Sequence, residues 1–247
     1  ETLLTAMEGA GIGFDDLRNA LTAMQGISVH VVGDTIVDTL TEGVVTSSAG
    51  KTPTHSVQIQ GKRDFIGGAA IVAKHLQAAG ARVTFSTVLG DDAAGLFVVD
   101  NLTAAGIEML HEVDRSRPTT NKNAIVAGGY RLIKLDTVDN RSISAEVLDH
   151  LCGNLAMTRA DVVVFSDFRH GVFNPSTIPS LTGNIPDGAF KVADSQVASR
   201  WGNILEFPGF DLITPNEKEA RFALGDQDTV IRPLASRLYE AARCGTL

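Results

Sequence analysis

The chain has 247 residues, 44% of them hydrophobic, and a formal net charge of −8 at pH 7. That size and apolar fraction support a sizeable buried core and exclude a disordered chain, while the acidic balance excludes a broad cationic face for nucleic acid. Cys152 and Cys244 stand far apart with no Cys or His in ligand spacing, which excludes a disulfide framework and points to a reducing compartment, the cytoplasm.

No apolar run reaches the ~20 residues of a membrane span, so no membrane partner is expected. Residues 1–13 carry no basic leader. Over 15–24, Leu17, Leu21 and Met24 recur at helical spacing and predict a short amphipathic helix, making 1–26 an N-terminal extension to a domain over 27–247. The β-rich run at 27–32 ends in Gly33-Asp34, as a buried parallel strand does when its C-terminal tip faces a ligand crevice. Thr, Ser and Gly dominate 41–61, an excursion of short exposed strands.

Gly67-Gly68 opens an Ala-rich helix that Gly80 closes. A strand at 81–89, then Gly90-Asp91-Asp92 and a helix at 93–105, complete a pattern of right-handed βαβ units, hence a parallel sheet. Residues 123–127 and 130–135, joined at Gly128-Gly129, predict an edge hairpin over 123–135. A helix at 145–157, capped by Ser144, leads to strands ending at Ser166-Asp167, Asp194-Ser195 and Thr214-Pro215-Asn216. A last helix over 229–243 leaves only Thr246 and Leu247, so the sheet reads as unfinished, with the C-terminal part of the fold absent from the chain.

Some strings fail as motifs. Ser48-Ala49-Gly50-Lys51-Thr52 lacks the leading glycine of a phosphate loop, Val45 standing in its place, and Gly9, Gly11 and Gly13 follow no strand. The six histidines form no ligand pair, so a metal centre is not expected from them. Three features carry chemistry together. Asp38 offers a carboxylate for two sugar hydroxyls, against the plain reading of a solvated loop acid. Gly67-Gly68 at a helix start lets a ligand approach backbone amides, although tight helix packing explains the pair equally well. Asn216 and Glu219, one turn apart at a strand-to-helix junction, suit a hydrated Mg²⁺ near phosphates, or simply cap the helix.

In this order the segments GDTIVD, GGAAIVAKHLQAAGA, LGDDAAG, RPTTNK, LIKLD, FSDFRHG and DLITPNEKEAR resemble the PfkB/ribokinase family of carbohydrate kinases, and most closely the sugar-kinase domain of bifunctional heptose-phosphate kinase/nucleotidyltransferases. The resemblance implies an α/β, ribokinase-like open and mostly parallel sheet with helices on both faces, plus a small β lid at 41–61 that often pairs with another subunit. It implies ATP-dependent transfer of the γ-phosphoryl group to a sugar or sugar-phosphate hydroxyl, with ATP and Mg²⁺ as cofactors. Asp38, Gly67 and Gly68 would hold the sugar, and Lys122 and Arg131 an anionic substituent. Asp194, Asn216 and Glu219 would organise the nucleotide phosphates and magnesium, Glu219 through water.

Two positions depart from the family: Ile71 stands where asparagine is common, and the Gly-Ala-Gly-Asp segment with the general-base aspartate does not occur, so that base is expected beyond Leu247 and this chain alone is expected to be inactive. A non-catalytic sugar-binding or regulatory module of the same fold is the competing reading. An NAD-dependent oxidoreductase is disfavoured, because no glycine fingerprint follows the first strand.

Overall fold

The computed structural model describes residues 2–46, 56–197 and 202–247. Two helices, α1 (Thr2–Ala10) and α2 (Phe14–Ala23), precede β1 (Ser28–Gly33). The chain then leaves the main sheet as β2 (Thr35–Thr46) and β3 (Ser56–Gly68), and returns through α3 (Ala69–Ala78) and β4 (Arg82–Leu89). α4 (Ala93–Ala104) and β5 (Glu108–Val113) follow, then a second excursion, β6 (Asn121–Ala127) and β7 (Tyr130–Thr137). The remainder runs α5 (Ala145–Met157), β8 (Val162–Asp167), α6 (Ile178–Gly183), β9 (Phe190–Ser195), a 3₁₀ turn at Ile204–Glu206, β10 (Leu212–Ile213), α7 (Glu217–Leu224) and α8 (Ile231–Ala242).

Six strands form one sheet in the order β10-β9-β8-β1-β4-β5, every pairing parallel. Strands buried on both faces must be largely apolar, and Ser28–Gly33 and Val162–Asp167 are built that way apart from Ser28, His30 and the polar tip Ser166-Asp167. Alternation sends their side chains to two different cores. Val32, Val163 and Phe165 join Leu151, Leu155, Leu181, Leu234 and Leu238 on the side of α5, α6 and α8. Val29, Val31 and Val164 join Ala69, Ala73, Phe85, Val98 and Leu102 on the side of α3 and α4. Helices therefore cover both faces, and Phe165, Phe173, Phe207 and Phe210 knit the first core with ring centroids 5.0–6.4 Å apart.

The second sheet has the order β3-β2-β6-β7. The hairpin expected over 123–135 is present as β6 and β7, but it borders this small sheet and not the six-stranded one, because β6 runs parallel to β2, with Lys122 opposite Asp38. The excursion expected over 41–61 is correspondingly longer, beginning at Thr35 and ending at Gly68, and its portion at 47–55, with the phosphate-loop-like string, lies outside the described residues. β5 escaped the sequence pattern, since Glu108, His111 and Glu112 break its apolar run. It is a half-buried edge strand. Thr246 bridges Leu212 in parallel, so the chain returns to the sheet edge beside β10 after α8.

One buried group gives stability a pH dependence. His30 lies at 0% exposure with Nε2 2.8 Å from Ser86 Oγ, and burial lowers its pKa from 6.5 to about 4. Between those values the unfolded chain takes up a proton that the folded chain refuses, so stability falls as pH drops below 6.5. Urea unfolding at pH 7 and pH 5 is expected to differ by about 2 kcal/mol from this residue alone. His30→Gln, which retains a polar partner for Ser86, is expected to remove that part of the difference. An unchanged pH slope in the variant would show that His30 does not carry it.

Candidate functional site

The C-terminal ends of parallel strands share one edge of a sheet, and there the polar residues collect. Asp34, just past β1, is 3% exposed and accepts three backbone N–H bonds, from Phe168 at 2.9 Å, His170 at 3.1 Å and Val172 at 3.1 Å. One carboxylate thereby fixes the whole loop after β8. Arg169 adopts φ 62°, unusual for a side chain with a Cβ. Its guanidinium is almost fully buried. It meets Asp167 at 3.0 Å, Glu206 at 2.8 Å and Ser195 Oγ at 2.8 Å, so it ties together the tips of β8 and β9 and the 3₁₀ turn. Burial and the neighbouring Asp34 push the pKa of Asp167 up, against the pull of Arg169. Asp34 and Asp167 were read from the sequence only as polar strand tips, and Arg169 and His170 were not singled out. The segments GDTIVD and FSDFRHG held them, but nothing local says that one carboxylate will clamp a loop more than 130 residues away.

Asp38 lies on a strand, and not in the loop expected after β1, since β3 and β6 supply its neighbours with ladder bonds on both sides. It is exposed, on the face of β2 that alternates away from buried Val37 and Thr39. Gly67 stands opposite Ile36, and a Cβ there would run into the Asp38 carboxylate. Gly68 is the N-cap of α3 with φ 61° and ψ −146°, a conformation essentially reserved for glycine. The residues expected to hold a sugar, Asp38, Gly67 and Gly68, are thus brought together at the start of α3.

Lys122 sits directly between Asp38 and Asp136 in the strand register. Among the described residues it has no ion-pair partner. Burial lowers the pKa of His170 in the loop after β8, Asp34 and Asp136 oppose that shift, and Lys122 adds to it. His170 Nδ1 is 2.7 Å from Asn140 Oδ1. Arg131 is elsewhere. It pairs with Val126 beside the Gly128-Gly129 turn, about 13 Å along the strand from Lys122. The cation that shares the Lys122 face close by is Lys134, opposite Ala124.

On the other flank, Asp194 ends β9, where burial raises its pKa and Thr214 Oγ1 donates to it at 3.0 Å. Both line a cleft of about 470 Å³ with Ser166 and apolar side chains of the sheet. Asn216 caps α7. Its Oδ1 accepts from the Glu219 amide at 3.0 Å, and Glu219 Oε2 accepts from the Asn216 amide at 2.9 Å. The capping role weighed against magnesium binding is therefore real, and it leaves Glu219 one carboxylate oxygen. Among the described residues no three His, Cys, Asp or Glu side chains cluster as a metal site. Mg²⁺ usually keeps several waters and rests on one or two carboxylates plus phosphates, so this donor set fits a water-mediated ion and not a protein cage. From β1 to β10 is three strand spacings, about 14 Å.

Comparisons with known proteins place the chain in a family and a fold. The chain is 31% identical over 214 residues to the bifunctional protein HldE of Rhodopseudomonas palustris, covering 83% of this chain and 42% of that protein. It is 27% identical over 212 residues to HldE of Helicobacter hepaticus, covering 83% and 43%. The chain thus spans less than half the length of these curated relatives. Among solved structures it is similar in fold to phosphofructokinase-2 from Escherichia coli in complex with fructose-6-phosphate, with TM-score 0.68, 13% identity, and coverage of 89% of this chain and 72% of that one. It is similar also to Arabidopsis thaliana ribokinase complexed with ribose and ATP, with TM-score 0.64, 16% identity, and coverage of 90% and 70%. The fold is therefore α/β and ribokinase-like. The description "pfkB family carbohydrate kinase" matches residues 27–242, and the chain belongs to that family.

Proposed function

We propose that this chain carries the acceptor site of an ATP-dependent kinase for a sugar or sugar phosphate, with residues 27–247 as the kinase unit and 1–26 as a helical extension. The observation that carries the reading is the placement of the Asp38 carboxylate over Gly67, at the N-terminus of α3, with Lys122 beside it in register. In this reading Asp38 accepts hydrogen bonds from two hydroxyls. The absence of side chains at Gly67 and Gly68 lets the sugar lie against the backbone. Lys122 faces an anionic substituent, for which Lys134 is better placed than Arg131. Asp194, Asn216 and Glu219 orient the phosphates of ATP, and Mg²⁺, held through water by Glu219, supplies charge neutralisation when bound. The small sheet excludes water from the acceptor, which favours transfer over hydrolysis.

No described helix is long and apolar enough to cross a membrane. ATP as donor fits work in the cytoplasm. One face of the small sheet bears the exposed Ile59, Ile133, Leu135 and Tyr130, which supports a homodimer through the lid.

ADP release is the test, measured with ATP, Mg²⁺ and, in turn, pentose, hexose and heptose phosphates and the free sugars. Sugar-dependent ADP release from the whole protein supports the kinase. Saturable sugar binding without ADP release supports a non-catalytic module instead. No binding of any of these sugars would overturn both. The 247 residues by themselves are proposed to capture sugar and to be inactive as a kinase.

A further inference from the structure

We propose that Phe65 is a sugar-stacking residue, its ring packing against the C–H face of the bound sugar while Asp38 takes the hydroxyl rim. This rests on the sugar-site reading of Asp38. Phe65 stands directly opposite Asp38 in the β2–β3 ladder, and side chains so paired are about 5 Å apart at Cβ on one face of the sheet. On the other side of Asp38 the register continues to Lys122, so hydrophobic, acidic and basic groups form one row across this face of the small sheet. Phe65 is 49% exposed, a large apolar surface left uncovered two residues before Gly67. Arg63, held by Glu42 at 2.7 Å, approaches the same ring, its guanidinium 6.0 Å from the centroid. An aromatic face carries partial negative charge and attracts the weakly positive hydrogens of a sugar's C–H bonds, while an aliphatic side chain offers only area. The ligand class is therefore a sugar, free or phosphorylated, with one face of its ring rich in C–H groups.

The test titrates the protein with fructose 6-phosphate, ribose and a heptose phosphate, following ligand C–H protons by NMR. Tight contact with the ring is expected to shift those protons upfield. Phe65→Leu is expected to abolish the upfield shift and weaken binding about tenfold, while Phe65→Trp retains both. If Phe65→Leu binds with unchanged shifts and affinity while Asp38→Ala loses binding, stacking is overturned and the sugar site stands. If wild type, Phe65→Leu and Asp38→Ala all behave alike, the sugar site itself falls, and the inference with it. A change of oligomeric state in Phe65→Leu with unaltered ligand shifts would assign the ring to a protein contact and overturn the proposal.

Discussion

Asp38→Ala is expected to lower kcat/KM for the acceptor sugar by about a hundred- to ten-thousand-fold while leaving KM for ATP within a few-fold of wild type. Each hydrogen bond to a charged group contributes about 1.5–3 kcal/mol, and two are lost together. The carboxylate is exposed, so its removal should leave stability nearly unchanged. A normal urea midpoint combined with lost sugar saturation is the diagnostic pair. Asp38→Asn should recover part of the loss, since an amide oxygen still accepts one bond. Unchanged sugar kinetics in the alanine variant would remove Asp38 from the site.

Gly68→Ala is expected to destabilise the protein by about 3 kcal/mol or more and to impair sugar binding. The backbone at φ 61° and ψ −146° is strained for any residue with a Cβ. The new methyl group would also meet the Asp34 carbonyl oxygen and lie 2.9 Å from the Ile36 amide nitrogen. Relief requires the start of α3 to move away from β1 and β2. The Ala69 amide bond to the Asp34 carbonyl, 2.9 Å long, would be the first to suffer. A urea midpoint within error of wild type would show that the junction yields freely and has no part in holding the acceptor. The neighbouring Gly67 separates the two effects. Its backbone has no left-handed strain, so alanine there should leave stability closer to wild type while displacing the Asp38 carboxylate from its seat.

Sequence alone determined the parallel α/β sheet. Largely apolar runs such as Val29-His30-Val31-Val32 and Val162-Val163-Val164-Phe165, alternating with glycine-closed helices, admit little else, because a strand covered on both faces must be mostly apolar on both. The polar strand tips and the glycine pair were equally legible, since their local chemistry already names a ligand edge.

Tertiary structure alone decided the rest. Whether 123–135 bordered the large sheet or the small one depended on pairing with β2, about 80 residues earlier, and no local pattern encodes that register. The same register puts Lys134 nearer than Arg131 to Lys122 and sets Phe65 opposite Asp38. The Asp34 clamp and the Arg169 tie likewise join segments far apart in the chain. Hydrophobic period is a property of a few consecutive residues, whereas cross-strand neighbours and buried ion pairs are properties of chain closure, and only the folded backbone specifies which distant residues meet.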